Sequence, residues 1–346
     1  MPLRPDRTAR LLPALLAAWL CLAPAAAEER APAVELTVYT TAEQEHLRLY
    51  KDAFEKANPG IHIRWVRNAS GVLTDRLLAE REAGGADAVW GLAATSLIRL
   101  GREGLLLPYA PAGLEAIDPR FRDTADTPAW IGTNIWSSVV CLNRAAHPGV
   151  PAPTAWRDLA DPAFRGLVSM PNPLSSGTGY LMVAGWIQMM GEEEAWRFMD
   201  ALDLNVETYA ISASKPCRMA AVGRVAAGLS FEYRAAQLKA EGAPIDILLP
   251  AEGLGWDMEA AAVLRWTDAP EAARRLMDFA ASEAANRLYA TNYAIVAHTG
   301  VTPSLEFLPP GLKDRLLAQD IAWASDNRER ILAEWRRRYG AKVEEP

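Results

Sequence analysis

The sequence predicts an α/β protein whose two lobes enclose a ligand cleft. Three observations carry this expectation. Strand-like and helix-like segments alternate through the N-terminal third, the pattern of a parallel α/β sheet. A second run of the same kind interrupts the first, with chain crossings near residues 135 and 255. The 346 residues, 50% of them hydrophobic, supply apolar material for two domains of ordinary size.

The elements follow in order. Glu35-Leu36-Thr37-Val38-Tyr39 alternates as a strand does. Thr40 or Thr41 is placed to cap a helix, with Glu43 or Gln44 as its capping-box partner. Leu47, Tyr50, Phe54 and Ala57 recur at helical spacing, and Asn58-Pro59-Gly60 stops the helix. Residues 61–66 read as a second strand, 71–82 as a second helix and 87–91 as a third strand, with a helix opening near Thr95 or Ser96. Pro and Gly crowd residues 108–128. A strand is expected at 135–142, a break at 148–153, and a strand at 166–170. That strand runs through Pro171-Asn172-Pro173-Leu174 into Ser175-Ser176-Gly177-Thr178-Gly179 and a helix over 180–190. A strand at 226–231, a helix at 234–241 and a strand at 245–249 follow. After Gly253-Leu254-Gly255 a strand at 260–264 leads to a mainly helical end, including 271–281 and a last helix ending near Tyr339.

Composition narrows the function. A formal net charge of −7 and a pI near 5.3 argue against wrapping nucleic acid or clinging to anionic lipid. Four histidines and three cysteines exclude zinc-finger arrays, haem attachment and disulfide-dense scaffolds. Arg4, Arg7 and Arg10, an apolar run from Leu11 to Leu22 and the small residues Ala25-Ala26-Ala27 form an export-signal pattern over 1–27. The run is shorter than the roughly 20 residues a spanning helix needs. Cys21 lacks the small residues that precede a lipoprotein cysteine. Export leaves Cys141 and Cys217 in an oxidising compartment, where a disulfide and two buried thiols both remain open.

The segment Ser175-Ser176-Gly177-Thr178-Gly179 is the most informative local feature. It follows a strand and opens a helix, whose first N–H groups lack partners and carry partial positive charge. Glycines permit close approach and hydroxyls add donors, which suits a phosphate, phosphonate or carboxylate. An ordinary capped helix start is the bland alternative. No Lys follows as in a nucleotide-binding P-loop. Thr40-Thr41 and Ala94-Thr95-Ser96 lie at strand ends, where ligands of open α/β sheets gather. Glu43, Glu232, Asp257 and Glu259 stand close in sequence to Trp90, Trp136, Tyr233 and Trp256, and carboxylates beside aromatic faces suit an ammonium group. Core packing and a solvated acidic face explain the same residues more plainly. The histidines show no metal-ligand spacing, and Asn68-Ala69-Ser70 matches only a short glycosylation sequon.

Several stretches together resemble a known family. They are Val38-Tyr39-Thr40, residues 86–94, Met170-Pro171-Asn172-Pro173 with Ser175-Ser176-Gly177-Thr178-Gly179, residues 188–193, Ser214-Lys215-Pro216-Cys217 and residues 252–259. The set resembles the 2-aminoethylphosphonate ABC-transporter substrate-binding proteins, within the ferric-iron-binding-like periplasmic receptors. The resemblance runs from about Glu35 to Tyr339. It implies a type II periplasmic binding fold, two α/β lobes joined by two crossover strands with the ligand cleft between. The expected division is a signal over 1–27, a first lobe from 28–135 and 256–346, and a second from 136–255. It implies a monomeric receptor in the periplasm that binds 2-aminoethylphosphonate and delivers it to a permease driven by an ATPase, with no catalysis, cofactor or nucleic acid.

In the iron-binding relatives the Ser-Gly turn holds an anion, and Ser176, Gly177 and Thr178 match it. The relatives' metal-binding histidine falls at Glu43, and no tandem tyrosine stands at Phe231-Glu232-Tyr233, so no metal is expected. For the phosphonate the expected contacts are Ser175, Ser176, Gly177, Thr178, Thr40, Thr41, Ala94 and Thr95. For the ammonium they are Glu43, Glu232 or Asp257, walled by Tyr233 or Trp256. Competing readings are a receptor for another small anion or zwitterion, such as a phosphate ester or ferric complex, an exported hydrolase using Ser176, and a sensor subunit.

Overall fold

The computed structural model describes residues 33–81 and 84–344; the expected export signal over 1–27, with Cys21, lies outside them. The first half of the chain gives β1 (Val34–Thr40), α1 (Gln44–Ala57), β2 (Ile61–Arg67), α2 (Ser70–Ala79), β3 (Ala88–Ala93), α3 (Ala94–Arg102) and β4 (Leu106–Leu107). Short 3-10 turns at Leu114–Ala116 and Pro119–Phe121 occupy the Pro- and Gly-rich stretch, and β5 (Ile131–Leu142) follows. Next come β6 (Val168–Pro171), α4 (Gly177–Met190), α5 (Glu192–Asp203), β7 (Val206–Ala210), α6 (Lys215–Ala221), β8 (Ala227–Phe231), α7 (Glu232–Ala240) and β9 (Asp246–Leu248). The chain ends with β10 (Trp256–Leu264), α8 (Pro270–Ala281), α9 (Glu283–Ala290), β11 (Ile295–Val296) and α10 (Ile321–Tyr339).

The strands line up in the order β2-β1-β3-β10-β5-β8-β6-β7. β1 runs parallel to β2 and β3, as the alternation predicts. β10 is antiparallel to both β3 and β5, so the sheet is mixed rather than purely parallel. The long strand β5 ties two sheets together. Its first part, to Ser137, pairs with β10, and Ser138 to Leu142 pairs with β8 and β9. All twelve β5 residues are buried, the continuous burial expected of a strand covered on both faces. The chain returns through Pro250–Gly255, where Ser138 N donates to Gly255 O at 2.9 Å.

Three differences from expectation have local causes. Thr40 does not cap α1: its Oγ1 accepts from Ala42 N at 3.1 Å, and the N-cap position is Glu43, which makes no side-chain cap bond. β10 begins at Trp256, not 260, because Asp257 and Glu259 are buried inside it, against the apolar pattern that marks a strand. The helices α5 and α6 and strand β7 have no counterpart in the expected elements; α5 opens on Glu192-Glu193-Glu194, acids that suit a helix N-terminus.

Cys141 on β5 and Cys217 on α6 form a disulfide, with Cα atoms 5.4 Å apart. Helix α10, assigned with 256–346 to the first lobe, packs on both sheets. Its start meets α3, where Ser325 Oγ donates to Thr95 O at 2.9 Å. Its end meets β7 and α5, with Trp335 and Tyr209 rings 4.8 Å apart and Tyr339 Oη donating to Asp200 at 2.7 Å. No described helix is long and apolar enough to cross a membrane.

Candidate functional site

The cleft follows from where two helices start. α2 leaves β2, and α4 leaves β6, so each begins beyond the carboxyl end of a strand, one in each sheet. The two starts touch. Gly71 N donates to Ser175 O at 3.0 Å, a main-chain bond between them. A methyl group on Gly71 would lie 2.6 Å from Leu174 O, so glycine is needed for that approach. Between the helix starts opens a cavity of about 240 Å³. Asn68, Ala69 and Ser70 line it from one side, and Ser176, Gly177 and Thr178 from the other.

The donors there are free. Ser176 Oγ is the α4 cap, accepting from Gly179 N at 3.3 Å. Among the described residues, the Ser70, Gly177 and Thr178 amides donate to no backbone or side-chain acceptor. Ala69, at the α2 N-cap, has no side chain to satisfy that helix's first N–H groups. Two helix starts thus direct unpartnered amides and partial positive charge into one cavity, an arrangement that binds anions. Ser212, on the segment after β7, adds a hydroxyl, and Arg67 at the end of β2 adds a guanidinium.

The opposite wall is aromatic and acidic: Trp136, Phe231, Tyr233, Glu43 and Glu259. Glu43 is neutralised by the protein. Its Oε2 lies 3.2 Å from Arg234 Nη2, 3.3 Å from Arg67 Nη2 and 3.9 Å from Arg218 Nη2. Glu259 accepts from Tyr233 Oη at 2.9 Å and forms no ion pair among the described residues. Burial, opposed by hydrogen bonds from Tyr233 and Asn134, pushes its carboxyl up to about 7.

The sequence-derived residues divide accordingly. Ser176, Gly177, Thr178, Thr41, Glu43 and Tyr233 line the cavity. Ser175, Thr40, Ala94, Thr95, Glu232, Trp256 and Asp257 do not. The start of α3 does hold an anion, but it is the protein's own: Asp257 accepts from Thr95 Oγ1 at 2.7 Å and from Thr95 N at 3.4 Å. Burial raises Asp257 to about 6. Glu232 is fully buried and turned to the crossover strand, accepting from Ser137 N at 2.5 Å and Ser137 Oγ at 3.1 Å. Burial raises it to about 8, which leaves it largely protonated at neutral pH. Trp256 donates from Nε1 to Leu317 O at 2.8 Å and packs against Phe121. Ser175 Oγ donates to Ile211 O at 3.2 Å.

Sequence reasoning passed over Arg67, Asn68, Ala69, Ser70 and Ser212 as lining residues, and it counted Glu259 among four carboxylates suited to an ammonium without choosing it as a contact. The strand-end rule applied to Thr40-Thr41 also reaches 67–70, which follow the second strand and precede a helix. The sequon match obscured it.

Comparison with known proteins agrees with the fold. The chain is 28% identical over 281 residues to an uncharacterized protein of Haemophilus influenzae, covering 78% of this chain and 81% of that one. It is 27% identical over 150 residues to a probable ABC transporter periplasmic-binding protein, y4fP, of Sinorhizobium fredii, covering 41% of this chain and 40% of the other. The solved periplasmic binding protein AfuA of Actinobacillus pleuropneumoniae, with exogenous fructose-6-phosphate bound, superposes with a TM-score of 0.83 at 25% identity, over 88% of this chain and 98% of AfuA. The fold is thus that of the type II periplasmic binding proteins. The family model for bacterial extracellular solute-binding proteins matches residues 93–319. The chain is a member of the bacterial extracellular solute-binding protein family.

Proposed function

We propose that the protein is the periplasmic receptor of an ABC importer, and that it binds 2-aminoethylphosphonate and delivers it to the permease. The observation that carries this reading is the convergence of the α2 and α4 starts on one cavity, with unpartnered amides at Ser70, Gly177 and Thr178. A dianionic phosphonate matches that field. The cavity's 240 Å³ is small beside the roughly 300–1,000 Å³ of drug-sized ligand sites, which suits a two-carbon ligand. In this reading the sheets joined at β5 and β10 act as two lobes that close on the ligand about these strands.

Binding without bond chemistry fits the lining. No His or Lys is among the lining residues to activate Ser176, and the Ser176 hydroxyl serves as a helix cap. A phosphate monoester is the second reading, supported by the likeness to AfuA with fructose-6-phosphate bound. Calorimetric titration of the signal-free protein with 2-aminoethylphosphonate, ethylphosphonate, inorganic phosphate and fructose 6-phosphate separates the two. Tightest one-to-one binding of the aminophosphonate supports the first reading. Binding of the sugar phosphate with no phosphonate bound refutes it.

A further inference from the structure

Against the acidic wall of the cleft lies a second and much smaller hollow. It shares Glu43, Tyr233 and Glu259 with the cleft and continues inward to Tyr50, Asn134 and Asn292. Its volume of about 10 Å³ is that of a single water-sized site. We propose that Glu259, supported by Tyr233 and Asn134, seats a primary ammonium at the end of the ligand opposite its phosphoryl group, in this hollow. The assignment rests on the phosphonate reading above and sharpens it.

Charge accounting leads to Glu259. Of the acidic residues near the cleft, Glu43 is surrounded by three guanidinium groups. Asp257 is satisfied by the α3 start and Met258 N; Glu232 engages Ser137 through Oε2, its buried Oε1 has no partner, and it lines neither cavity. Glu259 alone among these lines both cavities, is nine-tenths buried and forms no ion pair among the described residues; His46, which also lines the hollow, is held low by burial. A buried carboxylate without a partner is costly, and a cationic ligand group supplies the missing charge. Tyr50, Tyr233 and Tyr289 also line the hollow, and an aromatic lining suits a cation wherever a ring face meets it.

Size sets the specificity. An ammonium group and a water molecule occupy nearly the same space, so the hollow admits –NH3+ and excludes a trimethylated nitrogen.

The test is the ratio of dissociation constants for ethylphosphonate and 2-aminoethylphosphonate, measured by calorimetry on the whole signal-free chain. A charge-assisted hydrogen bond of this kind gives a ratio of about 30 or more for the unmodified protein. Glu259→Gln brings the ratio below about three, and Tyr233→Phe, which removes only the hydroxyl on Glu259, lowers it by a smaller factor. The N-trimethyl analogue binds no better than ethylphosphonate. A ratio near one in the unmodified protein, or a ratio unmoved by Glu259→Gln in a variant that still binds ethylphosphonate, overturns the assignment while leaving the phosphonate reading intact. Failure of every phosphonate to bind overturns both.

Discussion

A methyl group at Gly177 would meet Ser70 Oγ at 3.0 Å and Ser70 Cβ at 3.2 Å, which pushes the two helix starts apart. Gly177→Ala therefore weakens phosphonate binding by about tenfold, or 1.4 kcal/mol. Calorimetry checks the affinity, and a thermal melt close to the parent's shows that the fold stands. Ser176→Ala acts twice, removing the α4 cap for about 1 kcal/mol of stability and a hydroxyl from the cleft. Parallel loss of affinity for 2-aminoethylphosphonate and ethylphosphonate is the expected result, since Ser176 lies at the anion end. At this scale the sequence was half legible. Ser176-Gly177-Thr178 was visible because strand, small residues and helix succeed one another there. Glu259 stood among four candidate carboxylates and could not be singled out, because its meaning depends on which of the others are already paired, and pairing is a property of contacts across sheets.

Helices α1, α6 and α7 bring opposite charges together across the cleft. Arg234 on α7, almost fully buried, lies 2.6 Å from Glu45 and 3.2 Å from Glu43, and Arg218 on α6 reaches the same pair. Gln237 on α7 lies 3.0 Å from His46 Nε2 on α1, whose imidazole is held low by burial. Arg234→Met leaves Glu43 and Glu45 short of a partner and costs about 2 kcal/mol, less than the ~3–5 of a fully buried pair because Glu45 is half exposed. Urea unfolding measures that loss, and stopped-flow dissociation shows faster ligand release. The strands of this scale were largely legible from alternation. The 192–221 stretch was not: the α5 helix is amphipathic but opens on a run of glutamates, and α6 is too short, at seven residues, to display a period.

Across the whole molecule, three buried carboxyls shape the dependence of stability on pH. Asp257, Glu259 and Glu232 are raised to about 6, 7 and 8. A carboxyl raised on folding favours the native state most when protonated in both states, and that contribution is lost as pH rises through its folded value. Glu45, Glu55 and Asp158 are lowered and act in the opposite sense below about pH 4.5. The ligand-free protein thus melts highest near about pH 4.5–5, falls as pH rises toward 8 and is lower at pH 8.5, and Glu232→Gln flattens the alkaline limb in calorimetric scans.

The disulfide bridges 76 positions of chain, and replacing both cysteines by serine costs about 4 kcal/mol in the chain-entropy account. Chemical denaturation of the double variant measures it, and ligand affinity changes little because neither cysteine lines the cleft. The two-sheet plan could be read from the sequence because the second strand–helix run interrupts the first. The antiparallel β10 could not, because strand direction is set by the return crossing rather than by any local pattern.

Helix α10 is fastened at one end to α3 and at the other to β7 and α5. A strut pinned to both jaws of a clamp sets how far they part. Opening the cleft must turn the molecule about this strut or strip one of its ends, so the travel of the jaws is governed at a distance from every residue that meets the ligand. Fusions or truncations near the C-terminus then alter how readily the receptor opens, and with it the rate at which cargo is surrendered, while the cleft itself stays chemically unchanged.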